Sequence, residues 1–187
     1  MSGAGKSTVS RVYAERGFTV VDCDLCAREV VKPGCPALQE LHDRFSRDVI
    51  LPDGNLDRRA VSGLIFHDPG KKVLFNKIIY PYITYNITEK IKRGGELILL
   101  DAPTLFESRL DFICGSIVSV VADTDVCAAR ITARDNIPEE LARSRLRSQH
   151  GAEFYRTRSE FCLENNGTEA ELFAAAARTA ERLKGNS

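Results

Sequence analysis

The sequence predicts an α/β protein whose sheet is mainly parallel, formed by one domain over residues 1–187. Three short apolar segments, residues 18–21, 96–100 and 116–121, have the β-branched or aliphatic composition of buried strands. Segments with helical periodicity separate and follow these strands. Because strands alternate with helices, we expect a sheet of parallel strands covered by helices.

The helical segments can be placed one after another along the chain. Pro36 begins one helix, and Asp57 is placed to cap the start of another. Residues 71–92 have helical periodicity but contain Pro81, so we expect either two helices or a kinked one there. Residues 168–184 are rich in alanine and predict a strong helix.

The composition argues against several classes of protein. The 26 Lys and Arg residues balance 26 Asp and Glu residues, so the formal net charge is zero, whereas a dedicated nucleic-acid-binding protein is normally basic. No apolar run approaches the roughly 20 residues that a membrane span needs, and the first residues lack the pattern of a signal peptide. We therefore expect a cytoplasmic protein without nucleic-acid or membrane partners.

The six cysteines do not predict a disulfide framework, because no secretion signal accompanies them. Cys23 and Cys26 form a C-x-x-C pair, but the second, similarly spaced pair of a zinc site is lacking from the sequence. We therefore expect the cysteines to be small buried hydrophobic residues rather than metal or redox groups.

The strongest chemical signal lies at the start of the chain, where residues 3–8 match the second half of the phosphate-binding loop G-x-x-x-x-G-K-[ST]. Its glycines allow backbone N–H groups to close around phosphate oxygens. Lys6 would reach the β- and γ-phosphates, the Ser7 hydroxyl would hold Mg²⁺, and the following helix would add its dipole. The predicted nucleotide-binding residues are Gly3, Ala4, Gly5, Lys6, Ser7 and Thr8.

The upstream part of this motif is not in the sequence. The first glycine of the loop, and the strand that normally leads into it, would both precede Met1. Without that strand, the neighbouring strands of the sheet would expose unpaired edges. We therefore expect an N-terminally truncated chain in which the first strand of the fold is missing, and a longer open reading frame would support this.

Carboxylates follow two of the predicted strands. Asp22 and Asp24 come after the first, and ligands of parallel sheets bind at such C-terminal strand ends. A carboxylate there can accept a proton from an attacking hydroxyl or orient Mg²⁺; the alternative is that it only caps the next helix. Asp101 ends the second apolar strand in the manner of a Walker-B carboxylate, the alternative being a turn residue before Pro103.

Arginines concentrate in the later part of the chain. Arg130 and Arg134 are four residues apart and share a helix face, and three more arginines follow at 143, 145 and 147. Phosphoryl transfer needs cations over the γ-phosphate, which a mobile arginine-rich lid would supply. Acidic residues are interspersed with these arginines, so a solvated helical hairpin is the alternative.

Taken together, these motifs resemble the dephospho-coenzyme A kinase family over nearly the whole chain. The phosphate loop is shared with many kinases. The D-x-D, L-D-R and D-x-P-x-L-F-E motifs at residues 22–24, 56–58 and 101–107, in this order and at these distances, are much more specific. The remaining family positions are Arg130, Arg134, Gln149 and residues 165–167.

The resemblance implies a P-loop kinase core, a helical substrate-binding region at residues 29–94 and an arginine-rich lid at residues 128–157. The implied reaction transfers the γ-phosphate of ATP to the ribose 3′-hydroxyl of dephospho-CoA, giving coenzyme A, with Mg²⁺ as the cofactor.

The resemblance also implies roles for individual residues. Asp24 is the implied base, and it forms the catalytic group with Lys6 and Arg134. Arg130 and Asn166 are implied to join the loop in binding ATP, and Ser7 to bind the metal. The implied substrate contacts are Asp22, Arg58, Tyr80 and Asp101.

The sequence departs from the family pattern at two places and leaves two rival functions open. Tyr80 stands where the family usually has histidine, and residues 159–160 are Ser-Glu where Ala-Asp is usual.

A kinase of the adenylate or shikimate type would share Lys6 and the lid but is not expected to show the L-D-R segment. A truncated, non-catalytic remnant that only associates with partners is the other alternative. A GTPase is excluded because the N-K-x-D pattern that starts at Asn76 lacks its aspartate. The oligomeric state is left open.

Overall fold

The structure is a computed structural model that describes residues 1–185, so the last two residues of the predicted domain, 186 and 187, lie outside it. Helices and strands alternate along the described chain, as the sequence predicts. In chain order they are α1 Lys6–Glu15, β1 Thr19–Asp22, α2 Cys23–Glu29, α3 Pro36–Arg44, α4 Arg58–His67, α5 Pro69–Arg93, β2 Ile98–Asp101, β3 Val118–Val121, α6 Thr124–Asp135, α7 Glu139–Arg147, α8 Ala152–Arg156, β4 Phe161–Glu164 and α9 Glu169–Gly185.

The strands pair two by two, β1 with β2 and β3 with β4. β3 and β4 run parallel, with Val118 opposite Phe161 and Val121 opposite Glu164, which confirms the predicted parallel pairing. No described strand joins the two pairs into one sheet. The expectation of a further strand upstream of residue 1 is not tested by these residues and stays a prediction.

The described residues divide into two compact units, residues 1–20 with 97–185 and residues 21–96. We call the first the nucleotide unit and the second the helical unit. The predicted bounds of the substrate-binding region, 29–94, and of the lid, 128–157, stay predictions.

The nucleotide unit has its own hydrophobic core. α1 packs against α9, α6 packs against α7, and the β3–β4 pair lies beside α8. The core side chains come from the inner faces of these elements, among them Val12, Tyr13, Ile131, Leu163 and Leu172. This packing fixes the start of α1, and with it the phosphate loop, against the C-terminal end of the chain.

The helical unit is built around the long helix α5, on which α2, α3 and α4 pack. Asp57 caps α4 by accepting the N–H groups of Arg59 and Ala60, as predicted. The prediction of two helices at residues 71–92 is wrong, because α5 runs unbroken through Pro81. Pro81 lies on the exposed side of the helix, while Ile78, Ile79 and Ile87 are buried on the other side and hold it in place. The alternative, a bend at Pro81, stays a prediction.

Cys26, Cys35, Cys114, Cys127 and Cys162 are free thiols in the described part of the chain. Cys23, Cys26 and Cys127 are buried, and burial raises the pKa of the Cys26 and Cys127 thiols. The other three are only partly buried, so the expectation of buried hydrophobic residues holds for half of them. None of the described helices combines the length and the apolar character that a membrane crossing requires.

Tyr13→Phe is expected to raise the free energy of unfolding by up to about 1 kcal/mol, because the Tyr13 hydroxyl is fully buried and finds no partner among the described residues. Burial also raises the pKa of Tyr13 to about 12. Urea denaturation measures the change. Tyr82→Phe is the control with the opposite sign, since the Tyr82 hydroxyl donates to Glu40 at 2.7 Å. A Tyr13→Phe protein less stable than the parent would contradict this account.

Candidate active site

The phosphate loop has backbone angles that only glycine adopts easily. Gly3 and Gly5 have φ values of 73° and 102°, and Gly5 is the N-cap residue immediately before α1. Space is short as well: a Cβ on Gly3 would lie 2.7 Å from the carbonyl oxygen of Cys127, and one on Gly5 would lie 2.5 Å from Nδ2 of Asn165. Both glycines are therefore required by conformation and by close packing.

Gly5→Ala is expected to weaken ATP binding by at least about tenfold, because the added methyl group forces the loop off Asn165 and strains a left-handed residue by roughly 1–2 kcal/mol. Gly17→Ala is the matched control. Gly17 ends the turn after α1 with φ 87°, and a Cβ there meets no described atom within 4 Å. Calorimetric titration with Mg–ATP should therefore find near-parental affinity in Gly17→Ala; equal losses in the two variants would show that loop packing is irrelevant.

Side-chain amides brace the loop from two sides. Gln149 accepts the Ser2 N–H at 2.9 Å and donates to the Ser2 hydroxyl at 2.6 Å. Asn165 donates to the carbonyl oxygen of Ala4 at 2.8 Å, in a contact that is buried. Arg130 in turn donates to the backbone oxygen of Asn165 at 3.0 Å. The loop is thus held through its own backbone and one side chain by residues about 150 positions away in the sequence.

The predicted lysine and the predicted strand-end carboxylate come together. Lys6 forms an ion pair with Oδ1 of Asp101, the last residue of β2. Ser10, one helical turn after Lys6, donates to Oδ2 of Asp101 at 2.6 Å. Asp101 is mostly buried, with 14% of its side chain exposed, so the charge and the hydroxyl satisfy a carboxylate that water barely reaches. The Walker-B role of Asp101 stays a prediction.

Ser7 is exposed at the first turn of α1, next to Lys6. Its hydroxyl and the Asp101 carboxylate are oxygen donors, the ligand type that Mg²⁺ prefers. No three His, Cys, Asp or Glu side chains in the described residues come together as a metal site. Mg²⁺ in kinases is usually held through one or two protein oxygens and the phosphates of the nucleotide, so the residues present fit this ion.

Similarity to known proteins extends over nearly the whole chain. The family model of dephospho-CoA kinase (CoaE) matches residues 2–171. A dephospho-CoA kinase from Thermobifida fusca (strain YX) is 35% identical over 184 residues, which is 97% of this chain and 92% of that protein. The chain belongs to the dephospho-CoA kinase family.

Solved structures agree with this dephospho-CoA kinase fold. A crystal structure of a Thermus thermophilus protein superposes with a TM-score of 0.83 at 30% identity, covering 96% of this chain and 93% of that one. The structure of the dephospho-CoA kinase from Campylobacter jejuni superposes with a TM-score of 0.70 at 22% identity. The superposition covers 98% of this chain and 94% of that one. They confirm the α/β fold, and the family implies the P-loop kinase core.

Two of the arginines predicted for the lid of a dephospho-CoA kinase, Arg134 and Arg145, form ion pairs with the same carboxylate. Arg134 donates to both oxygens of Asp135, at 2.7 and 3.1 Å, and Arg145 donates to the same carboxylate at 2.6 Å. These hydrogen bonds hold the pKa of the Asp135 carboxyl below its usual range. Arg130 faces Asn165 instead, so the two arginines of α6 have different partners. A role for Arg134 at the γ-phosphate requires that it leave Asp135.

The two aspartates after β1 have separate surroundings. Asp22 caps α2 by accepting the Leu25 N–H at 2.8 Å, which is the helix-cap alternative that the sequence left open. Asp24 lies in the first turn of α2, is exposed, and forms no ion pair or side-chain hydrogen bond with another described residue. The Asp24 carboxylate is therefore available to a ligand, whereas the Asp22 carboxylate is occupied in capping α2.

The other predicted ligand contacts, Arg58 and Tyr80 for dephospho-CoA and Asn166 for ATP, lie on exposed positions. Arg58 begins α4 and Tyr80 lies midway along α5, where 45% of its surface is exposed. Asn166 accepts the Asp123 N–H at 2.7 Å and so links the turn after β4 to the start of α6. The ligand contacts assigned to these three residues stay predictions.

The sequence did not single out Ser10 or assign a role to Asn165, although both contact the predicted site. Ser10 had a detectable signal, since it lies four residues after Lys6 on the same helix face. Asn165 was noted only as part of a family motif, because its partner Ala4 is 161 residues away.

Proposed function

We propose that this chain transfers the γ-phosphate of ATP to the 3′-hydroxyl of dephospho-CoA. The observation that carries the proposal is the pairing of Lys6 with Asp101 at the end of a glycine loop packed for phosphate binding. A lysine at this position neutralises charge on the β- and γ-phosphates, and the loop N–H groups and the start of α1 add further positive potential.

In this proposal, Ser7 and Asp101 are the residues that would hold Mg²⁺. Mg²⁺ would supply charge neutralisation between the β- and γ-phosphates. The task of the chain is to keep the Ser7 hydroxyl at the first turn of α1 and the Asp101 carboxylate at the end of β2. Ser10 contributes by fixing the orientation of Asp101 through its 2.6 Å hydrogen bond.

In this proposal, Asp24 orients the acceptor hydroxyl and accepts its proton. A ribose hydroxyl is a weak nucleophile at neutral pH, so a carboxylate that orients it and accepts its proton assists the reaction. Asp24 is suited to this because its carboxylate is exposed and unengaged. Residues 29–94 form the substrate-binding region, with Arg58 and Tyr80 as contacts for the CoA portion.

The arginine-rich segment 128–157 is the proposed lid. Arg130 and Arg134 would place positive charge over the phosphates, and Asn166 would contact the nucleotide. Asp135 supports this assignment because both Arg134 and Arg145 form ion pairs with its carboxylate. The triphosphate of ATP carries more negative charge than Asp135, so it can compete with this carboxylate for one of the arginines. A cytoplasmic location goes with this metabolic role.

An acceptor panel tests the proposed function. The purified protein is incubated with Mg–ATP and either dephospho-CoA, AMP or shikimate, and ADP and product are quantified by chromatography. We expect ADP formation that depends on dephospho-CoA and equals the coenzyme A formed. ADP formation with AMP or shikimate would favour another small-molecule kinase, and a protein that neither binds ATP nor turns over would be the non-catalytic alternative.

A further inference from the structure

Asn165 is a buried polar residue between the phosphate loop and the arginine-bearing helix α6. Only 6% of its surface is exposed, so its side chain is almost closed to solvent. Its backbone N–H extends the β3–β4 ladder by donating to Val121 at 2.9 Å, which fixes the residue at the end of β4. The phosphate loop, α6 and Asn165 all belong to the nucleotide unit.

The loop needs a donor at this position. When backbone N–H groups of a loop converge on an anion, the carbonyl groups between them turn toward the protein and must be satisfied there. Ala4 is fully buried, and the Nδ2 group of Asn165 supplies a hydrogen bond to its carbonyl at 2.8 Å. The same nitrogen lies 2.5 Å from where a Cβ of Gly5 would be, so it also limits how closely the loop can approach Asn165.

The other side of the amide faces a cation. Arg130 donates to the backbone oxygen of Asn165 at 3.0 Å and to its side-chain oxygen at 3.4 Å. Asparagine suits this position because its amide accepts on one side and donates on the other. An aspartate would keep the shape and the contact with Arg130 but would place a second acceptor against the Ala4 carbonyl.

We infer that Asn165 is a positioning residue that holds the phosphate loop in its ATP-binding conformation, and that Arg130 acts on the loop through it. The inference deepens the proposed function and rests on it. If the Asn165 side chain is replaced, the free-energy cost of ordering the loop offsets part of the binding free energy of ATP. The effect should therefore appear in the affinity for ATP more than in the rate at saturating ATP.

The test compares Asn165→Asp and Asn165→Ala with the parent. We expect the Kd and the KM for ATP to rise about ten- to hundredfold in both variants, and kcat at saturating ATP to fall by less than about fivefold. The KM for dephospho-CoA should change by less than about threefold. Unchanged ATP affinity in Asn165→Asp, or a loss confined to kcat, would overturn the inference.

Thr179→Ala is the matched stability control. Thr179 is equally buried in the nucleotide unit, and its hydroxyl donates to Ala175 within α9 at 2.9 Å, away from the loop. The Thr179→Ala variant should have a lower thermal stability than the parent, with a Kd for ATP within about twofold of the parental value. An equal loss of ATP affinity in Thr179→Ala would attribute the effect to general destabilisation and overturn the inference.

Calorimetric binding of ATP needs no phosphoryl transfer, so the inference is tested even if the proposed acceptor is wrong. If the variants do not fold, NMR on the parent protein decides. We expect ATP to slow hydrogen exchange of the Asn165 side-chain amide, because the brace and the nucleotide favour the same loop conformation. The Asn86 amide, bound to Glu29 and Cys26 in the helical unit, is the control that should not change. An Asn165 amide that does not respond to ATP would overturn the inference.

Discussion

Lys6→Ala is expected to lower kcat by about 10³-fold, because the variant loses the cation that neutralises the β- and γ-phosphates as charge develops there. The far-UV circular dichroism spectrum should stay nearly unchanged. Asp101 loses its ion pair in this variant and keeps the hydrogen bond from Ser10, so the protein should be less stable than the parent but still folded. Steady-state kinetics with dephospho-CoA at saturating ATP measures the effect.

Arg11→Ala is the matched control for Lys6→Ala. Arg11 is on the same helix, and its exposed ion pair with Glu169 at 3.0 Å takes no part in the site. Exposed ion pairs contribute about 0–1 kcal/mol to stability, so this variant should turn over at nearly the parental rate. Retained turnover in Lys6→Ala would show that Lys6 is not the phosphate-binding lysine.

Asp24→Asn is expected to lower kcat by roughly 10²–10⁴-fold with little change in the KM for ATP, because the variant keeps the shape of the side chain and loses its charge. Phosphoryl transfer has a largely dissociative transition state, so orientation of the acceptor hydroxyl counts at least as much as basicity. Steady-state kinetics with varied ATP and dephospho-CoA separates these effects.

Asp22→Asn is the matched control, and the structure makes its expected effect specific. Asparagine caps helices about as well as aspartate, so it can still accept the Leu25 N–H, and both stability and kcat should change little. If Asp22→Asn lost activity and Asp24→Asn kept it, the roles of the two carboxylates would be reversed. If neither variant lost activity, the assignment of a carboxylate base would fail.

Much of the fold follows from local pattern. The β-branched segments at residues 18–21 and 116–121 became β1 and β3, and Asp57 caps α4 as its position suggested. Strand β4 was missed because Phe161–Glu164, unlike the three predicted strands, contains no β-branched residue, and its pairing with β3 defines it. The expectation of two helices at Pro81 was wrong because burial of one face of α5 outweighs the local preference of proline, whereas the alternative of a kink stays a prediction.

The site was predictable as separate motifs rather than as a set of contacts. The glycines, Lys6 and Asp101 each carry a sequence signal, and the structure brings Lys6 and Asp101 together. The pattern does not say which acidic group a given arginine meets. Arg134 binds its neighbour Asp135, whereas Arg130, four residues earlier, turns to Asn165. Such choices depend on packing between distant segments, which no local period records.

The position of the new phosphate ester shows whether the 3′-hydroxyl of dephospho-CoA is the phosphate acceptor. The protein is incubated with Mg–ATP and dephospho-CoA, or with an analogue that lacks the ribose 3′-hydroxyl, and the products are followed by ³¹P NMR. We expect a new phosphomonoester on the 3′-oxygen of dephospho-CoA, formed in step with ADP, and no phosphorylated product from the 3′-deoxy analogue. Phosphorylation of that analogue, or release of the γ-phosphate to water with both compounds, would contradict the proposed reaction.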